Sequence, residues 1–154
     1  MRSPKELALD SKLIETLELY NFKGPSLEGT KLLLADEEIQ ATQEYANNVS
    51  IVRLGFNDHG PVHMRSVALN GIIMMNLLKK AGIQTSLERE KYGDFEDSLT
   101  AVIFAAMLHD LGMSIGRYEH EFHSAYIAFP IIERLLAKVY QDNIQKHTAV
   151  RSLA

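Results

Sequence analysis

Apolar residues return every three or four positions through most of this chain, and sustained alternation of apolar with polar residues is lacking. That periodicity leaves an all-α helical bundle with short connectors as the fold. With 154 residues, 46% of them hydrophobic, there is material for one domain with its own core and too little for two. Pro4 opens a first amphipathic helix carrying Leu7, Leu13, Ile14 and Leu17. Gly24-Pro25 stops it, and residues 24–31 read as a loop.

The carboxylate of Asp36 is placed to cap a second helix running to about Leu54. Its apolar stripe is Ile39, Ala46, Val49 and Val52. The run Gly55-Phe56-Asn57-Asp58-His59-Gly60-Pro61 reads as a tight turn into a third helix, Pro61 to Ala81, closed by Gly82. Residues 83–93 are polar and predict an exposed loop or a short helical turn. Asp94, with Asp97 three residues on, starts the most apolar segment, Leu99 to Leu111, which ends at Gly112. A last pattern begins near Glu119 and should be kinked or divided at Pro130.

Several functions are disfavoured by composition. Cysteine is absent, which excludes disulfides and thiolate ligands, so any transition metal must be held by imidazole and carboxylate. A net charge of −4 with scattered basic residues speaks against binding to long nucleic acid. The N-terminus lacks the apolar run of a signal peptide, and the longest apolar stretch, Ala101 to Leu108, is too short to span a bilayer. No membrane partner is expected, and a cytoplasmic location is.

Three histidine clusters carry the chemistry, each at the end of an apolar helix. The stripe Leu99, Val102, Ala106 extends by helical spacing to His109 and Asp110, placing two ionisable groups on a core-facing row. Burying a carboxylate beside an imidazole is costly without partners, and a metal ion is an effective one. Taken alone, a core His–Asp hydrogen bond near a helix terminus is the preferred account of the pair. His59 and His63 lie four apart at a helix entrance, while His120 and His123 lie three apart, so each pair shares a face. Five of six histidines falling in such places makes coincidence the weaker account.

His63, then Leu108-His109-Asp110-Leu111-Gly112, then His120 resembles the H…HD…H order of the HD superfamily of metal-dependent phosphohydrolases, across about half the chain. The resemblance implies an HD-type helical domain over residues 1–154 and one or two divalent ions, whether Mn, Ni, Fe, Zn or Mg. His63, His109 and Asp110 would hold the first ion, and His120 with His123 a second, bridged by Asp110. It implies that Asp110 is central to catalysis, that His59 is the proton donor and that the substrate is a small phosphate ester or nucleotide.

Arg65 and Arg117 are candidates to grip a phosphate, set against the plainer reading of each as a solvated surface arginine. The family's closing distal aspartate is not found: Asp142, in a polar stretch 19 residues after His123, is a poor match. The expectation is therefore a domain short of its C-terminal helices. Two alternatives stand beside the hydrolase: a di-iron HD-type oxygenase and a non-catalytic metal-binding regulatory module. The apolar row Leu135, Leu136, Val139 and Tyr140 is the expected route to a homodimer, should the chain associate.

Overall fold

A computed structural model describes residues 2–55 and 60–154, and among these every regular element is a helix. The elements are α1 (Pro4–Leu19), α2 (Pro25–Ala35), α3 (Glu37–Asn48), α4 (Pro61–Lys80), α5 (Ser86–Glu90), α6 (Phe95–Leu108), α7 (His120–Tyr140) and α8 (Ile144–Leu153). A π-helical turn, Val49–Arg53, follows α3, and a 3-10 turn, Leu111–Ser114, follows α6. No described helix is long and apolar enough to cross a membrane.

Helix α6 is the axis of the bundle because it is apolar on nearly every side, the pattern of a helix with no solvent face. Leu99, Ile103, Phe104, Met107 and Leu108 are all at most 1% exposed. Each fully buried side chain of that size stabilises the fold by roughly 1.5–3 kcal/mol. Against α6 pack α4, through the row Met64, Ala68 and Ile72, and α2, where Gly29 lies so close that an added Cβ would sit 2.8 Å from the Phe104 ring. Helices α7 and α8 complete the wall.

Local signals set most of the helix starts. Asp36 caps α3 by accepting from the Ile39 N–H, and Asp94 with Asp97 forms a reciprocal capping box at α6. Helix α4 begins at Pro61 and ends at Lys80, with Gly82 in the left-handed conformation (φ +69°) just beyond. Residues 83–93 contain the short α5, started by a Thr85–Glu88 capping box.

Three expectations need correcting. Residues 25–35 form a helix, α2, whose N-terminus is held from a distance. Glu96 accepts from the Gly24 N–H at 2.6 Å and from the Ser26 hydroxyl at 2.7 Å, putting negative charge at the positive helix end. Pro130 leaves α7 undivided, because it lies on the exposed face, where the Tyr126 carbonyl it deprives of an N–H can be hydrated. Val52 is 74% exposed although Ile39, Ala46 and Val49 are buried: the π turn holds an extra residue and rotates Val52 off the apolar stripe.

Candidate metal site

Asp110 follows α6 and is 2% exposed, in a molecule whose other buried groups are mostly apolar. Its carboxylate is ringed by imidazoles. His109 Nε2 lies 3.2 Å from Oδ2, His63 Nε2 lies 3.4 Å from the same oxygen, and His120 Nε2 lies 3.6 Å from Oδ1. The His63 and His109 rings are 5.3 Å apart and tilted by 54°. Among the described residues, His63, His109 and Asp110 form a group whose potential ligand atoms all lie within 4.8 Å of one another.

The tautomers follow from what the other ring nitrogens touch. His109 Nδ1 is 2.9 Å from the Ala106 carbonyl, and His120 Nδ1 is 3.0 Å from the Arg117 carbonyl. A carbonyl only accepts, so each Nδ1 carries a proton and donates it. In the neutral ring, Nε2 then presents a lone pair to the Asp110 carboxylate. Two lone pairs facing an anion are stable only if a proton or a cation stands between them. A second nitrogen donated to a backbone carbonyl is also the usual support of a metal-binding histidine. The hydrogen bond to Asp110 raises the pKa of His109 above its ordinary value; burial opposes the shift, and the Ala106 carbonyl and the Asp110 charge add to it.

The backbone that brings these groups together depends on Gly112. The first turn of α7 crosses directly over it, so a Cβ there would lie 2.0 Å from the His120 carbonyl oxygen and 2.6 Å from the Ser124 nitrogen. The Gly112 N–H donates to Ser124 Oγ at 2.8 Å, tying the 3-10 turn to α7. The residue before α7, Glu119, takes a left-handed conformation (φ 52°) that turns the chain into the helix. His120 therefore enters α7 beside Asp110. On the other side, Gln43 Nε2 donates to the Met107 carbonyl at 2.8 Å, meeting a helix-end acceptor that α6 leaves open.

The other candidate residues fall elsewhere. His123 is not among the groups gathered round Asp110, and its ring makes an edge contact with Phe122. His59 lies outside the described residues. Arg65 is neither a solvated arginine nor placed to grip a phosphate. It is 1% exposed and donates to Asp10 at 2.6 Å, to Gln43 at 2.9 Å and to the Pro61 carbonyl at 3.1 Å, linking α1, α3 and α4. The side chain of Arg117 is at the surface just before α7. Asp142 is exposed in the turn between α7 and α8.

Gln43 and Gly112 also shape the site, and sequence context marks only the second, where a glycine just after the His-Asp pair permits a close backbone approach. Gln43, one polar residue on an apolar row, carried no such mark.

A cavity of about 400 Å³ adjoins the group and is lined in part by His109, Asp110 and His120. No protein-family model and no solved structure matches the chain. The chain is similar to an uncharacterized protein of Methanocaldococcus jannaschii, with 40% identity over 122 residues, or 76% of this chain and 47% of the relative. It thus spans about half the length of that relative. What these observations establish, among the described residues, is an all-α fold with a His-His-Asp group that could hold a metal ion.

Proposed function

We propose that this chain is an HD-type metal-dependent phosphohydrolase domain that cleaves a phosphate ester with an activated water. One observation carries the reading. His109 and His120, each fixed through Nδ1 to a backbone carbonyl, aim Nε2 at the two oxygens of one buried carboxylate, and His63 completes the ring. The donor set suits Mn, Ni, Fe or Zn, all of which accept imidazole and carboxylate together.

His63, His109 and Asp110 would hold the first ion, and His120, 3.6 Å from the opposite oxygen of Asp110, would share or extend the site. A divalent ion held there lowers the pKa of a bound water and neutralises charge on phosphoryl oxygens. The chain's own contribution is orientation. The Ala106 and Arg117 carbonyls fix the two imidazole planes, and burial of Asp110 keeps bulk water from competing for its oxygens. His59, four residues before His63, keeps the role the resemblance implies, protonation of the leaving oxygen.

The test is to load the metal-stripped protein with Mn²⁺, Ni²⁺, Fe²⁺ or Zn²⁺. Phosphate release from a panel of mono- and diesters is then measured alongside oxygen consumption. Ester cleavage that disappears in Asp110→Asn is expected. Oxygen uptake without phosphate release would transfer the site to oxygenase chemistry, and metal binding with neither activity would make it a regulatory module.

A further inference from the structure

The cavity beside the metal group has His109, Asp110, His120 and Glu121 at one end and Arg151 and Ser152 away from it, and the spacing of its lining residues along α7 shows an apolar stretch between them. His120, Ser124, Ala128 and Ile132 line it at four-residue intervals, a single row down one face of the helix. The row starts at the imidazole beside Asp110 and is apolar from its third member on. At 1.5 Å per residue, the stretch from Ser124 to Ile132 is about 12 Å long. Ala125 and Phe129 flank that row, and Ala105 and Leu108 face it from α6.

Away from the metal group, the polar atoms are mostly engaged. Ser124 Oγ accepts from the Gly112 N–H, and Ser152 Oγ donates to the Thr148 carbonyl at 2.8 Å. Arg151 closes the far end, with its guanidinium 2.7 Å from Glu133 Oε2 and lying over the Phe129 ring at 5.4 Å. A nucleobase or ribose placed here would lose hydrogen bonds to water and find almost none in return. Sites discriminate most strongly against such unpaired polar groups. A hydrocarbon body loses nothing polar, and Ala105, Ala125 and Ala128 leave room for it.

We infer that the cavity takes an amphiphilic substrate, a small phosphate-ester head at the His109–Asp110–His120 end with a medium-length alkyl body laid along α7. This rests on the metal-site reading above for the head and on the cavity walls alone for the body. The volume falls in the lower part of the range of small-molecule sites, roughly 300–1,000 Å³, as a single slender chain requires.

Calorimetric titration of the Mn²⁺-loaded protein with octyl phosphate, inorganic phosphate and adenosine monophosphate tests it. Octyl phosphate should bind at least tenfold more tightly than either of the others. Ala125→Phe, at an exposed position on the cavity wall, should bring octyl phosphate down to the level of inorganic phosphate while metal stoichiometry stays unchanged. Ala105→Leu, on the opposite wall, is the second variant should the first fail to fold. Adenosine monophosphate binding as tightly as octyl phosphate, or octyl phosphate binding untouched by a folded wall variant, overturns the inference.

Octanol titrated into metal-free protein separates the two claims. Binding that is sensitive to the wall variants, in a protein that takes up no metal, would sink the metal reading and keep the apolar subsite. Metal uptake with no preference for the alkyl chain would do the reverse.

Discussion

Helix α6 has a buried carboxylate at each end, and the two are satisfied in different ways. Asp97, in the first turn, is fully buried and surrounded by groups that all donate to it: the Asp94 N–H at 2.8 Å, the Tyr140 hydroxyl at 2.9 Å and the Lys146 ammonium at 2.6 Å. Asp110, just past the last turn, meets three imidazoles at 3.2, 3.4 and 3.6 Å. Ammonium, phenol and amide close a carboxylate off. Imidazoles can donate a proton or offer a lone pair, so the same charge at the other end remains able to share a cation. One end of α6 is a structural lock; the other has the makings of a site.

Asp97→Ala is expected to have the largest effect on stability. It strands a tyrosine hydroxyl and a lysine that is partly exposed, so the loss should be about 3 kcal/mol, the lower end of the range for a buried pair. Urea unfolding measures it, and the folded fraction should bind metal as before. A loss near zero would mean the two ends of α6 do not differ as described.

Gly112→Ala comes next, at about 2 kcal/mol, because the methyl group meets backbone rather than a side chain that could move away. Unlike Asp97→Ala, it should also weaken metal binding by displacing His120. Thermal melting with and without Mn²⁺ reads both effects. A melting loss with unaltered metal affinity would show that His120 is not part of the site.

Removal of Asp110 from the metal-free protein should cost only about 1 kcal/mol, since the side chains of His63 and His109 are 36% and 38% exposed and can be hydrated once it is gone. A cost matching that of Asp97→Ala would make Asp110 a second structural lock.

The smallest effect is expected at Asp94, and it depends on pH. Burial pushes its carboxyl up, but the Lys146 ammonium and the backbone N–H groups of Asp97 and Glu96 outweigh that and hold it below its ordinary value of 3.8. A carboxyl whose folded pKa lies below its unfolded one contributes stability above the unfolded value and loses it as pH falls through the folded value. Asp94→Asn should therefore cost under about 1 kcal/mol at pH 7, given its exposure, and the difference from the native protein should shrink below pH 4. A difference that grows on acidification would contradict this.

Much of this architecture is legible locally. Asp36, Pro61 and Asp94 mark helix starts because a cap is a contact between near neighbours in sequence, and the histidines mark the site because they end apolar rows. What escapes is what distant residues decide. Helix α2 is started by Glu96, about 70 residues away, so Gly24-Pro25 by itself reads only as a stop. Arg65 reads as a surface cation because Asp10, Gln43 and the Pro61 carbonyl, which make its burial tolerable, come together only in the folded chain. His123 shares a helical spacing with His120, but the direction in which α7 leaves Gly112 takes only His120 to Asp110.

Calorimetric titration of Mn²⁺ into metal-stripped native protein and into Asp110→Ala tests the metal site most directly. The native chain should bind the ion. Loss of Asp110 should weaken binding by more than roughly a hundredfold, beyond the 10–100-fold typical of losing a supporting partner. Equal affinity in the two proteins, or no uptake by the native chain, would contradict the assignment of Asp110 and its ring of histidines as a metal site.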